Sequence, residues 1–453
     1  MVGRLYAVWM TGIIFLSSLT CAFTQTGTQE NVRGANSPRV FKSLAEVLEF
    51  TTRQSITLQS QGIEMDQAKK AKLAAVLGTI DVSGNLLSGQ FTNNTKLGVN
   101  LFPAEIFGGE AGTFEEVQLG VQYNTDLTSY AAIKLINPGG WSNLKLAKIN
   151  IDLTRSSHLL TLKELQENIA SNYYNIVNVT EQIASSKQNL VVADTLNQIT
   201  QNKFWEGLLN QQDVNDSQVN YLNTLETINQ LEYLLEQYYI SLKILCDIPD
   251  TEAISIAQSS TKREEAIQPM VSLNTLALDN LLLQEEYARA SNQYAKAAFL
   301  PTLSLQLSNS YNLFNTEFRP FSGNWINSNY IGLNLTIPIP STQTIAQKYD
   351  ATYEHQLAIN ATEQARIQAS LDQKSLVTEY DKAVSQARSD KKILDLHRDS
   401  FTKDQNLFRE GLIGLDVVLD SFNTMVNAQY SLISSEVNVH LTLANININN
   451  TLR

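Results

Sequence analysis

Four short stretches of this chain alternate between apolar and polar residues, and this alternation constrains the fold more than any other feature. The clearest is "LSLQLSNSYNLF", whose apolar positions are Leu303, Leu305, Leu307, Tyr311 and Leu313. A period of two predicts a strand with two different faces. Similar stretches span 79–91, 117–127 and 331–340. We therefore expect four strands of about ten residues, a length that crosses a bilayer when tilted.

Composition limits the partners of the chain. Hydrophobic residues make up 43% and charged residues only 17%, with a net charge of -12. Asn, Gln, Ser and Thr fill the deficit, which suits surfaces that face water without strong charge. No basic run is present, so nucleic-acid binding is disfavoured.

The N-terminus predicts export. Residues 1–22 read as a secretory signal peptide, with an arginine, an apolar stretch and cleavage after Ala22. Lipidation of Cys21 and a retained anchor are the alternatives. No later segment approaches about 20 apolar residues, so the mature chain could span a membrane only as a barrel. Cys246 reads as a small buried hydrophobe and has no second cysteine to pair with after cleavage.

The chain also repeats itself. "AAVLGTIDVSG" from Ala74 resembles "AAFLPTLSLQL" from Ala297, and "NKFWEGLLNQQDVNDS" from Asn202 resembles "NLFREGLIGLDVVLDS" from Asn406. We expect the same order in both copies: helix, β-hairpin, long helix, turn and helix. The predicted division is a linker 23–41, a first repeat 42–247 with its hairpin at 79–127, a linker 248–271, a second repeat 272–447 with its hairpin at 301–340, and a tail 448–453.

Two segments predict very long helices. No proline interrupts 141–204 or 341–410, and each would reach roughly 95–100 Å as one helix. Leu162, Ile169, Ile176, Ile183 and Leu190 are spaced by seven, which indicates coiled-coil packing. The other faces are rich in uncharged polar residues. They suit the wall of a water-filled duct, although solvated outer faces remain the alternative.

These features predict a mainly helical fold with a small membrane-spanning β part. Four strands cannot close a barrel around a lumen, whereas three copies supply twelve, an even number within the range of outer-membrane barrels. Aromatic residues cluster around the predicted strands, as in the girdles at membrane interfaces. The proposed girdle consists of Phe91, Tyr123, Tyr311, Phe314, Trp325 and Tyr330.

Together these features resemble the TolC-type outer membrane factors, the exit ducts of efflux pumps and type I secretion systems in Gram-negative bacteria. The resemblance rests on the repeat, on "FLPTLSL" at 299–305 and on "FREGLIGLDVVLDS" at 408–421. It implies a homotrimer in the outer membrane, in contact with its lipid, whose α-helical barrel extends into the periplasm. It also implies a periplasmic adaptor that docks at the helical tip and opens the duct, and an inner-membrane pump of RND or ABC type.

The same resemblance assigns roles to residues. The tip contacts with the adaptor would involve Gly207, Leu208, Gly411, Leu412, Asp416 and Val417. Carboxylates that constrict the aperture would come from Glu206, Asp399, Asp404 and Glu410, each of which also reads as an ordinary solvated residue.

Other functions find little support in the sequence. The four histidines lack metal-ligand spacing, and no phosphate-binding, dinucleotide or hydrolase motif is present, so we expect neither an enzyme nor a cofactor. The rival interpretation is a structural coiled-coil protein of the periplasm or cell surface without channel activity. A monomeric porin is disfavoured by the number of strands.

Overall fold

The computed structural model describes residues 39–94, 98–257 and 270–452. The signal peptide and Cys21 lie outside these residues. The helices in this part of the chain are α1 (Leu44–Gln54), α2 (Ile56–Gly78), α3 (Pro138–Trp205), α4 (Gln211–Leu245), α5 (Leu276–Ala297), α6 (Thr342–Arg409) and α7 (Leu415–Thr451). The strands are β1 (Arg39–Phe41), β2 (Val82–Asn93), β3 (Gly98–Pro103), β4 (Phe114–Leu119), β5 (Tyr123–Ile136), β6 (Ile254–Ile256), β7 (Thr302–Asn315) and β8 (Trp325–Thr336).

Two helices dominate the structure. Both α3 and α6 have 68 residues, which corresponds to about 100 Å each. Each begins at a side-chain cap. The Asn137 side chain accepts a hydrogen bond from the Gly140 backbone, with Pro138 at the first helical turn, and the Ser341 side chain accepts one from the Thr344 backbone. The uninterrupted helices expected from the sequence are therefore present.

Each long helix packs against shorter helices. The C-terminal part of α3 forms an antiparallel hairpin with α4. An ion pair of 2.9 Å between Lys187 and Glu232 joins the two helices. The C-terminal part of α6 forms a similar hairpin with α7, and the N-terminal part of α6 packs against α5. None of the helices in the described ranges combines the length and hydropathy needed to cross a bilayer.

Four strands form one antiparallel sheet in the order β2–β5–β7–β8. The prediction of a strand over 117–127 was wrong in its bounds. β4 ends at Leu119 and pairs with β3 in a separate hairpin, and β5 starts at Tyr123. Gly120, at φ +133°, separates the two strands because this backbone conformation is unsuited to a continuous strand. The partner of β7 is thus a longer strand that reaches Ile136.

Other element bounds also differ from the predictions. The first helix of the first repeat, expected between residue 42 and the hairpin at 79, is broken at Ser55, whose side chain caps α2 by accepting a hydrogen bond from the Leu58 backbone. Asp247, at φ +53°, accepts a second hydrogen bond, 2.8 Å from the Ile56 backbone nitrogen. Other elements are shifted by a few residues: α5 begins at Leu276, β2 spans Val82–Asn93 instead of 79–91, and β8 spans Trp325–Thr336 instead of 331–340.

The apolar core lies between helices in separate clusters. The tip cluster joins the ends of α3, α6 and α7 through Leu196, Phe401, Phe408 and Phe422. A second cluster joins α1, α3 and α4 around Ile169 and Ile176. Cys246 belongs to this second cluster, as expected for a buried hydrophobe, and burial raises the pKa of its thiol. The helices are therefore held along their length rather than around one central core.

Candidate functional site: a two-faced sheet and a helical tip

The sheet has an apolar face. Successive residues of a strand point to opposite sides, so the register assigns each side chain to a face. Ile133, Leu305 and Leu333 lie side by side on three adjacent strands, followed by Ala131, Leu307 and Ile331. We call this side the apolar face. Leu333 and Ile331 are 64% and 73% exposed in the single chain, which is unusual for side chains of this type.

The opposite side of the sheet is polar. Ser304, Gln306, Ser308, Ser310 and Asn312 alternate with the leucines of β7 and define this polar face. The hydroxyls of Thr128 and Ser310 share a hydrogen bond of 2.9 Å between β5 and β7. An apolar face and a polar face on one four-stranded sheet suit a wall between lipid and water.

The register divides the predicted girdle. Phe91, Tyr123, Tyr311 and Trp325 lie on the apolar face. Phe314 and Tyr330 lie on the polar face, opposite Asn124 and Ser308. The six predicted girdle residues are therefore split between the two faces of the sheet, and their contact with lipid stays a prediction.

The loop between β7 and β8 extends this aromatic group. The rings of Phe321 and Phe91 contact edge to face at 5.7 Å, and those of Phe318 and Tyr123 at 5.6 Å. The loop covers Leu313, which is fully buried. Phe318 and Phe321 belong to the aromatic residues that cluster around the predicted second hairpin, although they are not among the six girdle residues named above. Only their folding back onto the apolar face shows their connection to it.

Tyr330 has a different role on the polar face. A Cβ atom built on Gly332 would lie 2.1 Å from the Tyr330 hydroxyl oxygen, so the tyrosine side chain covers this glycine. An aromatic ring over a strand glycine compensates for the missing side chain.

Both edges of the sheet are open. Within the described strands, β2 pairs only with β5, and β8 pairs only with β7. Each edge has 12 residues. Unpaired backbone groups along edges of this length require partners, above all in lipid, where water is absent.

At the other end of the molecule, the two helical hairpins turn with the same geometry. Gly207 and Gly411 have φ values of +74° and +77°. The Leu208 backbone donates to the Lys203 carbonyl at 2.9 Å, and the Leu412 backbone donates to the Leu407 carbonyl, also at 2.9 Å. These are Schellman turns, in which glycine adopts the left-handed conformation at low cost.

Apolar side chains are exposed around these turns. Leu208 and Leu412 are 64% and 66% exposed, and Val417 is also exposed. Asp416 lies in the first turn of α7. Sequence reasoning missed Trp205, which is 82% exposed beside the first turn. A tryptophan next to the Glu-Gly-Leu turn was the signal that could have identified it.

The four candidate aperture carboxylates have different surroundings. Asp399 forms an ion pair of 2.5 Å with Lys403. Glu206 and Glu410 are the C-terminal caps of α3 and α6, and Asp404 lies on α6 before its last turn. Asp399 is thus locally neutralised, and the structure of one chain does not bring the four carboxylates together into a ring.

Ionisable groups with shifted pKa values lie on the helices. Burial raises the pKa of Tyr173 to about 12. Burial also raises the pKa of Glu181, and the nearby Glu436 carboxylate adds to the increase. No group of three potential metal ligands is found within the ranges that the structure describes.

Comparison with known proteins agrees with this geometry. Residues 270–447 match the family model described as outer membrane efflux protein. No curated protein sequence is significantly similar to the chain.

The fold is similar to that of solved membrane proteins. The outer membrane protein VceC of Vibrio cholerae has a TM-score of 0.71 at 15% identity, covering 90% of this chain and 95% of that one. A membrane protein of Pseudomonas aeruginosa has the same TM-score of 0.71 at 14% identity, covering 91% of each chain. The CmeC outer membrane channel of Campylobacter jejuni has a TM-score of 0.66 at 17% identity, covering 93% of this chain and 89% of that one. Residues 270–447 thus match the model of the outer membrane efflux protein family, and the chain as a whole has the fold of these solved outer membrane proteins.

Proposed function

We propose that this protein is a passive exit duct in the outer membrane of a Gram-negative bacterium, serving an efflux pump or a type I secretion system. The observation that carries this proposal is the four-stranded sheet with an apolar face, a polar face and two open edges. Three such sheets, joined edge to edge, form a barrel of twelve strands. The apolar face then contacts lipid, and the polar face lines the lumen.

Exposed apolar side chains on the helices support assembly into a homotrimer. Ile345, Tyr349, Tyr353 and Leu357 follow one another at a spacing of four along α6, and their exposed fractions lie between 40% and 67%. A spacing of four places them in one stripe on the helix. In the trimer this stripe packs against a second copy of the chain, which removes it from water.

The long helices continue the duct into the periplasm. Their length of about 100 Å suits a conduit between the outer membrane and partners near the inner membrane. The energy for transport comes from an inner-membrane pump of RND or ABC type, because the duct itself only provides a path.

The helical tip is the docking site for a periplasmic adaptor, whose engagement opens the duct. Trp205, Leu208 and Leu412 present exposed apolar surface there. Exchange of Leu412 for glutamate should weaken binding of the adaptor, measured with the purified pair. The same exchange at Leu371, an exposed leucine in the middle of α6, is the control for a new charge on the helical surface. Equal affinities of the two variants for the adaptor would contradict docking at the tip.

The assembly is tested by extraction of the full-length protein from outer membrane fractions and native mass spectrometry in detergent. We expect three copies, in a form that migrates differently on gels before and after heating. A single copy that stays in solution without detergent would contradict the duct and favour the structural coiled-coil protein.

A further inference from the structure

The polar face of the sheet carries few charges. Asp126 and Lys134, both on β5, are the charged side chains on this face of the four described strands. Lys134 forms an ion pair of 2.5 Å with Asp81, just before β2. The positive charge is therefore neutralised where the sheet meets the helices.

Asp126 has no such partner. Its carboxylate accepts a hydrogen bond of 2.6 Å from the Thr128 hydroxyl. Directly across the neighbouring strands lie Gln90 on β2 and Asn312 on β7, and both are uncharged. Asp126 is thus the charge on this face of the four described strands that no ion pair neutralises.

The position of Asp126 on the sheet increases the effect of its charge on solutes that pass along the polar face. It is the fourth residue of β5, near the end of the sheet that lies away from the long helices. Any solute that passes along the polar face must cross this level. A charge on the wall of a narrow path bounded by protein of low polarity focuses the field into that path.

We propose that Asp126 makes the duct selective at its outer end, so that cations and uncharged solutes pass more readily than anions. This inference rests on the proposed trimeric duct, in which the three copies of Asp126 lie at one level around the lumen. The substrate class that it favours is cationic or neutral cargo. Amide and hydroxyl side chains beside Asp126 provide hydrogen bonds without a charge of either sign.

The test is the reversal potential of the purified full-length trimer in a planar bilayer that separates two potassium chloride concentrations. The wild type should favour potassium over chloride. Asp126→Asn should lower that preference by about threefold or more, and Asp126→Lys should turn it toward chloride. Asparagine keeps the shape of the side chain and an oxygen for the Thr128 hydroxyl.

Two controls separate this effect from a general change of charge. Glu317→Gln also removes one negative charge per chain, but from the loop that covers the apolar face, and it should leave the reversal potential unchanged. Dilution of the potassium chloride on both sides should enlarge the difference in ion preference between the wild type and Asp126→Asn. The reason is that the Debye length rises from about 3 Å at 1 M to about 30 Å at 0.01 M.

The outcomes distinguish this inference from the proposed function. Channels with equal ion preference in wild type and Asp126→Asn would overturn the role of Asp126 and leave the duct intact. An equal shift in Glu317→Gln would also overturn it. Absence of any conductance in the wild type would instead contradict the duct itself.

Discussion

Lys203 of α3 joins the two turns at the helical tip: its Nζ donates a hydrogen bond of 3.1 Å to the backbone carbonyl of Arg409, the last residue of α6. The same ammonium group lies 5.3 Å from the centre of the Phe408 ring. The two helical hairpins of one chain are thus tied where the duct would have to open.

Lys203→Met should loosen the tip without unfolding the protein. The contact is exposed, so we expect a loss of about 1 kcal/mol or less. Hydrogen exchange of the backbone amides around Gly207 and Gly411 should become faster. Lys187→Met, which removes an ion pair between α3 and α4, should not change exchange at the tip. Equal exchange in Lys203→Met and the wild type would show that this contact does not hold the turns.

The turn glycines should resist substitution. Gly411→Ala places a side chain at φ +77°, and a left-handed residue other than glycine costs about 1–2 kcal/mol. Gly62, inside α2, is the matched control, because a Cβ there meets no atom within 4 Å. Gly62→Ala should stabilise the protein by about 0.5–1 kcal/mol. Thermal unfolding in detergent should therefore rank Gly62→Ala above the wild type and Gly411→Ala below it, and the reverse order would contradict the turn geometry.

The end of α7 holds the segment before α5. The Asn449 side chain is buried and donates to the Ser272 carbonyl at 3.0 Å, while its oxygen accepts from Lys163 at 3.4 Å. Asn449→Ala should lower the free energy of unfolding by about 1–3 kcal/mol, because the Ser272 carbonyl and the Lys163 ammonium each lose a hydrogen-bond partner. It should also increase hydrogen exchange in residues 270–275.

The control for this contact is Asn447→Ala, an exposed asparagine on the same helix. It should change neither stability nor exchange by a measurable amount. If both alanine variants behave alike, the side chain of Asn449 is not what anchors this segment.

The pair of Glu181 on α3 and Glu436 on α7 should make stability depend on pH. Burial, and then the Glu436 carboxylate, raise the pKa of Glu181 above its usual value of 4.5. The folded state therefore binds this proton more tightly than the unfolded state does. The resulting stabilisation is complete below about pH 4.5 and is lost as pH rises through the higher pKa of the folded state.

Glu181→Gln should consequently be more stable than the wild type at pH 7, with a smaller or reversed advantage at pH 4. Urea unfolding at both values measures this difference. Because the two carboxylates repel each other, Glu436→Gln should give part of the same gain, and the double variant should gain less than the two separate effects together. Equal free energies of unfolding for the wild type and Glu181→Gln at pH 7 would contradict the raised pKa of Glu181.

Sequence periodicity was sufficient to predict the long helices and the alternating strands. Both signals depend on local geometry, in which a missing proline or a period of two has a direct structural consequence. Sequence periodicity was insufficient to predict the bounds of β5, because the alternation continues across Gly120. Only the hydrogen-bonded pairing of β4 with β3 and of β5 with β2 shows that two strands are present. The break at Ser55 also depends on a distant residue, Asp247.

The candidate sites show the same limit. Phe314 and Tyr330 were grouped with the girdle because they cluster with other aromatic residues. Their positions in the alternation already placed them with the polar residues, so the correct face was accessible from the sequence. The ring contacts of Phe318 with Tyr123 and of Phe321 with Phe91 were not accessible in this way, since they depend on the folded chain.

The most direct test of the account is the conductance of the purified, detergent-extracted protein in a planar lipid bilayer. If three sheets close around a lumen with their apolar faces toward lipid, insertion should occur in discrete steps of equal conductance, and a purified adaptor should increase the conductance. A protein that binds no bilayer and never carries current would contradict the duct.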